Sequence, residues 1–73
     1  MSSYRSATDQ LIGRVGVIIE PVPAERSGRG IVKVGGQLWT CETDGTEEIL
    51  PDVSVWICGR VGPTLLVLPQ LEV

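Results

Sequence analysis

Few side chains in this 73-residue sequence have the chemistry that catalysis requires. The chain has no histidine, the side chain that most often serves as a general base at neutral pH. Ser54 and the single lysine, Lys33, could form a nucleophile and base pair across a small barrel, but the residue alternation places both outside the expected core. Glu47 and Glu48 are adjacent and their side chains diverge, so they cannot easily flank one bond. The sequence therefore predicts a protein that is not an enzyme.

Cys41 and Cys58 are the two cysteines of the chain, and no second pair of nitrogen or sulfur ligands accompanies them. A tetrahedral zinc site needs four such ligands, so we expect no metal and no cofactor. Both cysteines lie in apolar strand patterns, and free cysteine is among the most buried residue types. These observations favour two buried, reduced thiols, with a single disulfide as the alternative.

Three side chains remain as candidate contacts with a partner: Arg26, Arg29 and Trp56. The two arginines share a polar loop and could bind an anion or an acidic partner, although solvated arginines need no function. The segment 28–30 resembles the opening of a phosphate-binding loop, but no helix follows it to supply free amides. Trp56 is out of phase with the apolar positions of its strand. We expect it on the outer surface, as a contact residue or as a lid over a barrel end.

The composition indicates one small, acidic, strand-rich domain. Hydrophobic residues make up 42% of the chain, and nine glycines and five prolines separate the apolar runs. The net charge of -3 has the wrong sign for binding phosphates, so nucleic-acid binding is not expected. The longest nearly apolar run, 65–71, is far shorter than the roughly 20 residues of a membrane-spanning helix. Residues 1–10 are typical of a flexible linker or a cloning remnant, which leaves 11–73 as the domain.

Gly35 and Gly36 determine one part of the predicted fold in detail. A Gly-Gly pair between two apolar runs favours the positive φ angles of a two-residue hairpin turn. This turn sets the register of the strands at 30–34 and 37–43, in which opposed residues share one face. The better candidate for the core face consists of Val32, Val34, Trp39 and Cys41, with Trp39 as its largest member.

The other apolar runs predict three more strands, at 11–19, 53–61 and 65–68. Gly13 and Gly16 in the first of them are expected to mark bulges or a sharp coil. The acidic connection at 44–52 begins with a capping pattern that is typical of one helical turn ending at Pro51. Five short strands without a long helix predict an all-β fold, either a sandwich fragment or a closed barrel. Closure is favoured because it removes exposed strand edges.

Several segments together resemble the C-terminal soluble domain of NfeD-like proteins. They are Leu11-Ile12-Gly13-Arg14-Val15-Gly16, Gly30-Ile31-Val32-Lys33-Val34-Gly35-Gly36-Gln37-Leu38-Trp39-Thr40-Cys41, Val55-Trp56-Ile57-Cys58-Gly59 and Gly62-Pro63-Thr64-Leu65-Leu66-Val67. The second segment is the specific one, because it combines alternating valines, flanking glycines and a tryptophan two positions before a small residue. Cys41 replaces the alanine that is usual in the family, and Asp52 stands where the family often has glycine.

The resemblance implies a five-stranded OB-like barrel, closed or partly closed, whose usual helix is reduced or absent. It implies no catalytic residue, and it implies binding to a stomatin-like, SPFH-type membrane protein in the regulation of membrane protease activity or in membrane quality control. The intact protein would then be membrane-associated through segments upstream of Tyr4, with the cytoplasmic side favoured, and could form homo-oligomers. The alternative is an oligonucleotide-binding OB module, for which the cationic candidates are Arg26, Arg29, Lys33 and Arg60.

Overall fold

The computed structural model describes residues 9–70, which form five strands joined by short connections. The strands are β1 (Val15–Glu20), β2 (Gly30–Val34), β3 (Gln37–Glu42), β4 (Ser54–Val61) and β5 (Thr64–Pro69). Within the described range the helical segments are two 3-10 helices of three residues, Asp9–Leu11 and Ala24–Arg26. The all-β class is thereby confirmed. Residues 1–8 of the expected linker lie outside the described range, and residues 9 and 10 belong to the first 3-10 helix.

The five strands close into a barrel in the order β1-β2-β3-β5-β4, and β4 pairs back onto β1. Four junctions are antiparallel. The β3–β5 junction is parallel and contains two registered pairs, Cys41 with Leu65 and Glu42 with Leu66. The predicted five-stranded barrel without a long helix is confirmed, and its closure leaves no strand without neighbours on both sides.

The β2–β3 hairpin has the register that the Gly-Gly turn predicts. Val32 lies opposite Trp39, and Gly30 lies opposite Cys41. Gly35 and Gly36 have φ angles of 58° and 85°, a left-handed region that a side chain makes costly. The turn residues therefore fix the register, and the register decides which residues face the interior.

The barrel interior is filled almost entirely by branched aliphatic side chains. Within the described range, eight apolar residues are no more than 1% exposed, namely Ile18, Val22, Val32, Cys41, Val55, Ile57, Leu65 and Val67, and Val34 and Ile49 are 2% exposed. Trp39 is only partly buried and packs against this core, so the expectation that it is the largest core member is wrong. The largest fully buried side chains are those of Ile18, Ile57 and Leu65. A barrel of five strands leaves an interior too narrow for a whole indole beside these side chains.

The two cysteines occupy different environments, and both are free thiols. Cys41 is buried, whereas Cys58 is exposed and its Sγ lies 3.4 Å from the carbonyl oxygen of Leu66. The expectation of two buried thiols is therefore wrong for Cys58. The reason is its phase, because Cys58 follows Trp56 on the outward side of β4 while Ile57 points inward.

Gly16 does not mark a bulge, which is one of the two alternatives that the sequence predicts for it. It pairs in regular register with Val55, and a Cβ atom built on it would lie 2.7 Å from Cγ2 of Val32. Its function is to let β1 pack closely over the core face of β2. The register shifts of the barrel lie elsewhere, between Ile18 and Glu20 in β1 and between residues 57 and 59 in β4. Gly13, with a φ of 92°, lies in the turn before β1, which is why that strand begins later than predicted.

The β3–β4 connection contains no helical turn, so that prediction is also wrong. Ile49 exchanges two backbone hydrogen bonds of 2.9 Å with Val22, and the amide of Asp52 donates to the carbonyl of Ile18 at 2.8 Å. The backbone of the β3–β4 connection thus forms its hydrogen bonds with β1 and with the β1–β2 loop, and not the internal hydrogen bonds of a helical turn. Asp52 has a φ of 73°, which gives a physical reason for the glycine that the family often has there.

Candidate functional site

Arg26 and Arg29, two of the predicted contact residues, both bind the carboxylate of Glu42 on β3. Nε of Arg26 lies 3.3 Å from Oε1 of Glu42, and Nε of Arg29 lies 3.2 Å from Oε2. Arg26 also lies 3.5 Å from a carboxylate oxygen of Asp44. The Glu42 side chain is only 13% exposed, so it is the fixed centre of this cluster. Both arginines are thus held beside β3, and the carboxylates of Glu42 and Asp44 balance their charges within the domain.

The loop that carries these arginines has a specific, constrained conformation. Glu25 and Arg26 have φ angles of 57° and 55°, which residues with a Cβ atom adopt at a cost in free energy. Two backbone hydrogen bonds hold them there: the Glu25 amide donates to the Gly45 carbonyl at 2.8 Å, and the Arg26 amide donates to the Thr43 carbonyl at 2.9 Å. The β1–β2 connection is therefore fastened to the start of the β3–β4 connection.

The position of this cluster bears on the oligonucleotide alternative. OB folds bind oligonucleotides on the face of strands 2 and 3 together with the β1–β2 and β4–β5 loops. In this barrel, Glu42 and Asp44 place two carboxylates at that region and pair with the two arginines that could have met phosphates. Phosphate binding would have to displace these internal partners, so the geometry opposes this alternative.

Trp56, the third predicted contact residue, lies exposed on the wall of the barrel. Its registered neighbours are Val15 on β1 and Leu68 on β5, so the three side chains form one row across three strands. Each of the three is between 41% and 45% exposed. Outward side chains of paired strands contact each other along such a row, and here the whole row is apolar.

A second row lies beside the first and brings the one lysine to the same surface. Val17 follows Val15 on the outer side of β1, and its registered partner on β2 is Lys33. Within residues 9–70, Lys33 has no ion-pair partner. We call this surface the Trp56 face, and it consists of Val15, Val17, Lys33, Trp56 and Leu68.

The residues considered for catalysis are not brought together. Lys33 and Ser54 both pair with Val17, from its two opposite sides, so β1 lies between them and their backbones are about 10 Å apart. Burial raises the pKa of the Cys41 thiol to about 11, so this sulfur stays protonated and unreactive at neutral pH. In the described range, no three His, Cys, Asp or Glu side chains converge on a point where a metal ion could bind.

The sequence interpretation missed Val15, Val17 and Leu68 as surface residues. The residues at 11–19 looked like one continuous apolar run, which hides an alternation. Once β1 begins at Val15, its first four residues alternate between exposed and buried, and two exposed valines result. The signal was therefore present, but it could be interpreted only after the strand start was known.

Comparison with known proteins agrees with this architecture. The sequence model of the NfeD-like C-terminal, partner-binding domain matches residues 8–69. No curated protein matches the sequence. In the described residues, no helix has the length and apolar character needed to cross a bilayer.

Three solved structures share the fold. The C-terminal domain of stomatin operon partner protein 1510-C from Pyrococcus horikoshii is 25% identical, with a TM-score of 0.79 over 93% of this chain and 100% of that domain. The soluble domain of a membrane protein implicated in regulation of membrane protease activity from Corynebacterium glutamicum is 20% identical, with a TM-score of 0.77 over 89% of this chain and 100% of that one. The soluble domain of the NfeD protein YuaF from Bacillus subtilis is 25% identical, with a TM-score of 0.75 over 89% and 80% of the two chains. The matched segment spans all five strands of the barrel, and the chain therefore belongs to the family of NfeD-like C-terminal, partner-binding domains.

Proposed function

We propose that this partner-binding domain is non-catalytic and binds a stomatin-like, SPFH-type membrane protein through the Trp56 face. The observation that carries the proposal is the exposed apolar row of Val15, Trp56 and Leu68 on a small barrel whose other potential contact residues, Arg26 and Arg29, have internal partners. The similarity to a stomatin operon partner protein supports this class of partner. A role in regulating membrane protease activity or membrane quality control is part of the proposal.

The exposed part of Trp56 can supply a substantial share of the binding free energy. With 45% of its side chain exposed and a total area of about 250 Å², Trp56 offers about 110 Å² to a partner. Complete burial of that area sets an upper limit of about 3 kcal/mol on its contribution, from which the ordering and desolvation costs of association are subtracted. Aromatic side chains of this kind are enriched among the residues that dominate interface energetics.

The small size of the surface fits a domain that is held close to its partner. The four apolar side chains of the Trp56 face expose roughly 300 Å² together, which is well below the ~800 Å² that each partner buries in a stable interface of standard size. In the intact protein, we propose, other segments tether the domain to a membrane, on its cytoplasmic side. Such tethering raises the effective concentration, so that a modest interface suffices.

The test is co-purification of the detergent-solubilised full gene product with a stomatin-like protein, in a host that expresses one. We expect Val15→Glu to weaken the complex by at least about 30-fold, because the new carboxylate is either buried beside Trp56 without a partner or pairs with Lys33, its diagonal neighbour, and so occupies the charge that the partner would meet. Leu50→Glu is the matched control, since Leu50 is 56% exposed in the β3–β4 connection and does not belong to the Trp56 face. It should leave the complex intact.

Both variants need melting temperatures close to that of the parent for this comparison to be valid. If the parent protein fails to bind the stomatin-like protein, the proposed partner is wrong. If Val15→Glu and Leu50→Glu bind equally well, the proposed surface is wrong.

A further inference from the structure

We infer that the partner element that covers the Trp56 face is an amphipathic segment that presents a carboxylate to Lys33 and apolar side chains to Val15, Val17 and Trp56. This inference rests on the proposed function in so far as it takes the Trp56 face to be the binding surface, but it does not depend on the identity of the partner. It specifies the chemistry of the partner from the charges and the burial of the described residues.

Lys33 supplies the first argument. It lies at the β2 edge of the Trp56 face, directly beside Val17, and no carboxylate in residues 9–70 pairs with it. Covering the face would remove water from the ammonium group, and an unpaired charge in an interface is strongly unfavourable. A partner that covers this surface must therefore bring its own anionic group to Lys33.

Within residues 9–70, the Trp56 face itself contains no carboxylate that could serve a second copy of the chain. In a twofold contact the same face meets itself, so each Lys33 would approach a face made of Val15, Val17, Trp56, Leu68 and another lysine. Glu20 lies at the end of β1 beyond the register shift, and Glu42 of β3 is held by two arginines. Charge complementarity thus favours a different protein over self-association.

The exposed area gives an independent argument against a dimer. The four apolar side chains of the face expose roughly 300 Å², and Leu38, which is 61% exposed and pairs with Lys33, borders them; even with Leu38 the exposed apolar area stays well below the ~800 Å² that each partner buries in a stable interface of standard size. An amphipathic segment needs less area when it is held near the domain by another attachment, because tethering supplies effective concentration. The apolar and cationic parts of the face lie one strand apart, about 5 Å, so one segment can contact both.

Lys33 is the single lysine of these 73 residues, so a cross-link from an amine side chain of this domain is assigned to it directly. A water-soluble carbodiimide condenses an amine and a carboxylate in contact into an amide with loss of water. We would treat native membranes that contain the tagged full gene product with this reagent, purify the product under denaturing conditions and map the cross-linked peptides. The expected product joins Lys33 to an Asp or Glu in a segment of another protein whose neighbouring residues are apolar. Lys33→Arg keeps the charge but should lose this cross-link.

Affinity measurements between the Lys33 variants and the partner identified by the cross-link test the role of the lysine charge separately. We expect Lys33→Gln to weaken binding by about fivefold and Lys33→Glu by more than tenfold, while Lys33→Arg stays within about twofold of the parent. Thr46→Glu is the matched control for Lys33→Gln, since it makes the same change in net charge on the exposed β3–β4 connection and should have no effect.

The outcomes distinguish this inference from the proposed partner. A Lys33 cross-link to an acidic, amphipathic segment of a protein other than the stomatin-like one supports the inference and contradicts the proposed partner. A cross-link to a second copy of the chain, or no Lys33 cross-link in the membranes, overturns the inference. Equal affinities for the Lys33→Gln and Lys33→Glu variants and the parent overturn it as well, even when the stomatin-like protein binds.

Discussion

Gly30→Ala should destabilise the domain, because Gly30 lies where β2 begins close to the end of β1. A Cβ atom built on Gly30 would lie 2.5 Å from the carbonyl oxygen of Pro21, 2.6 Å from that of Glu20 and 2.7 Å from Cγ2 of Val22. Two of these three atoms belong to the backbone and cannot rotate away. The added methyl group must therefore move the strands apart, or distort the register that pairs Gly30 with Cys41.

The size of the effect follows from opposing contributions. Inserting a methyl group into a tightly packed site costs about 1–3 kcal/mol, and contacts with two backbone atoms put Gly30 at the upper end of that range. Replacing glycine by alanine also reduces the entropy of the unfolded chain, which returns about 0.4–1 kcal/mol. We therefore expect a net loss of about 2 kcal/mol, which lowers the melting temperature of a domain of this size by about 8–16 °C.

The assay is thermal and guanidinium unfolding followed by circular dichroism, with Gly59→Ala as the control. A Cβ atom at Gly59 would lie 3.6 Å from Leu66 Cδ1, an ordinary contact, and the φ angle of Gly59 is not positive. The same chemical change should there raise the free energy of unfolding by about 0.4–1 kcal/mol. If the two variants change stability in the same direction and by the same amount, the packing argument for Gly30 is refuted.

Three further predictions concern groups with unusual environments. At pH 8 a thiol reagent should modify Cys58 in the native protein but Cys41 only after unfolding. Because burial raises the pKa of the Cys41 thiol to about 11, its contribution to the free energy of unfolding is complete below pH ~9 and falls as pH rises towards 11, by on the order of 1 kcal/mol at pH 10. The free energy of unfolding of a Cys41→Ala variant should lack this pH dependence. Glu42→Gln should lower the free energy of unfolding by about 1 kcal/mol at low salt, and a difference from the parent that persists undiminished in 1 M salt would contradict an ionic origin. Asp52→Gly should raise the free energy of unfolding by about 0.5 kcal/mol through relief of the left-handed conformation, and a lower melting temperature would count against that reading.

The features that the sequence predicted correctly depend on local rules. The Gly35-Gly36 pair determines its turn, the turn determines the β2–β3 register, and the register places Val32 opposite Trp39. The number of strands and the absence of a long helix follow from the spacing of apolar runs and turn residues in the same way.

The features that the sequence did not predict depend on contacts between distant segments. The β3–β4 connection has a local capping pattern, yet its backbone bonds to Val22 and Ile18, which are far away in the chain. The pairing of Arg26 and Arg29 with Glu42 likewise requires the barrel to bring the β1–β2 loop onto β3. Cys58 is a different case, because it lies two positions after Trp56 in β4 and therefore shares its exposed face. At this position the alternation of the strand outweighs the general tendency of cysteine towards burial.

The parallel junction of β3 and β5 affects how the barrel moves. It contains two registered pairs, whereas the β4–β5 hairpin contains six, and it joins segments that are far apart in sequence. Junctions of this kind form late because their loops must close first, and they have the least local stability against opening. In the circular strand order, β1 lies two strands away from this junction on either side. We therefore expect transient openings to begin at the β3–β5 junction, so that β5 and its Leu68 move first, while Val15 and Val17 lie two strands away from the opening.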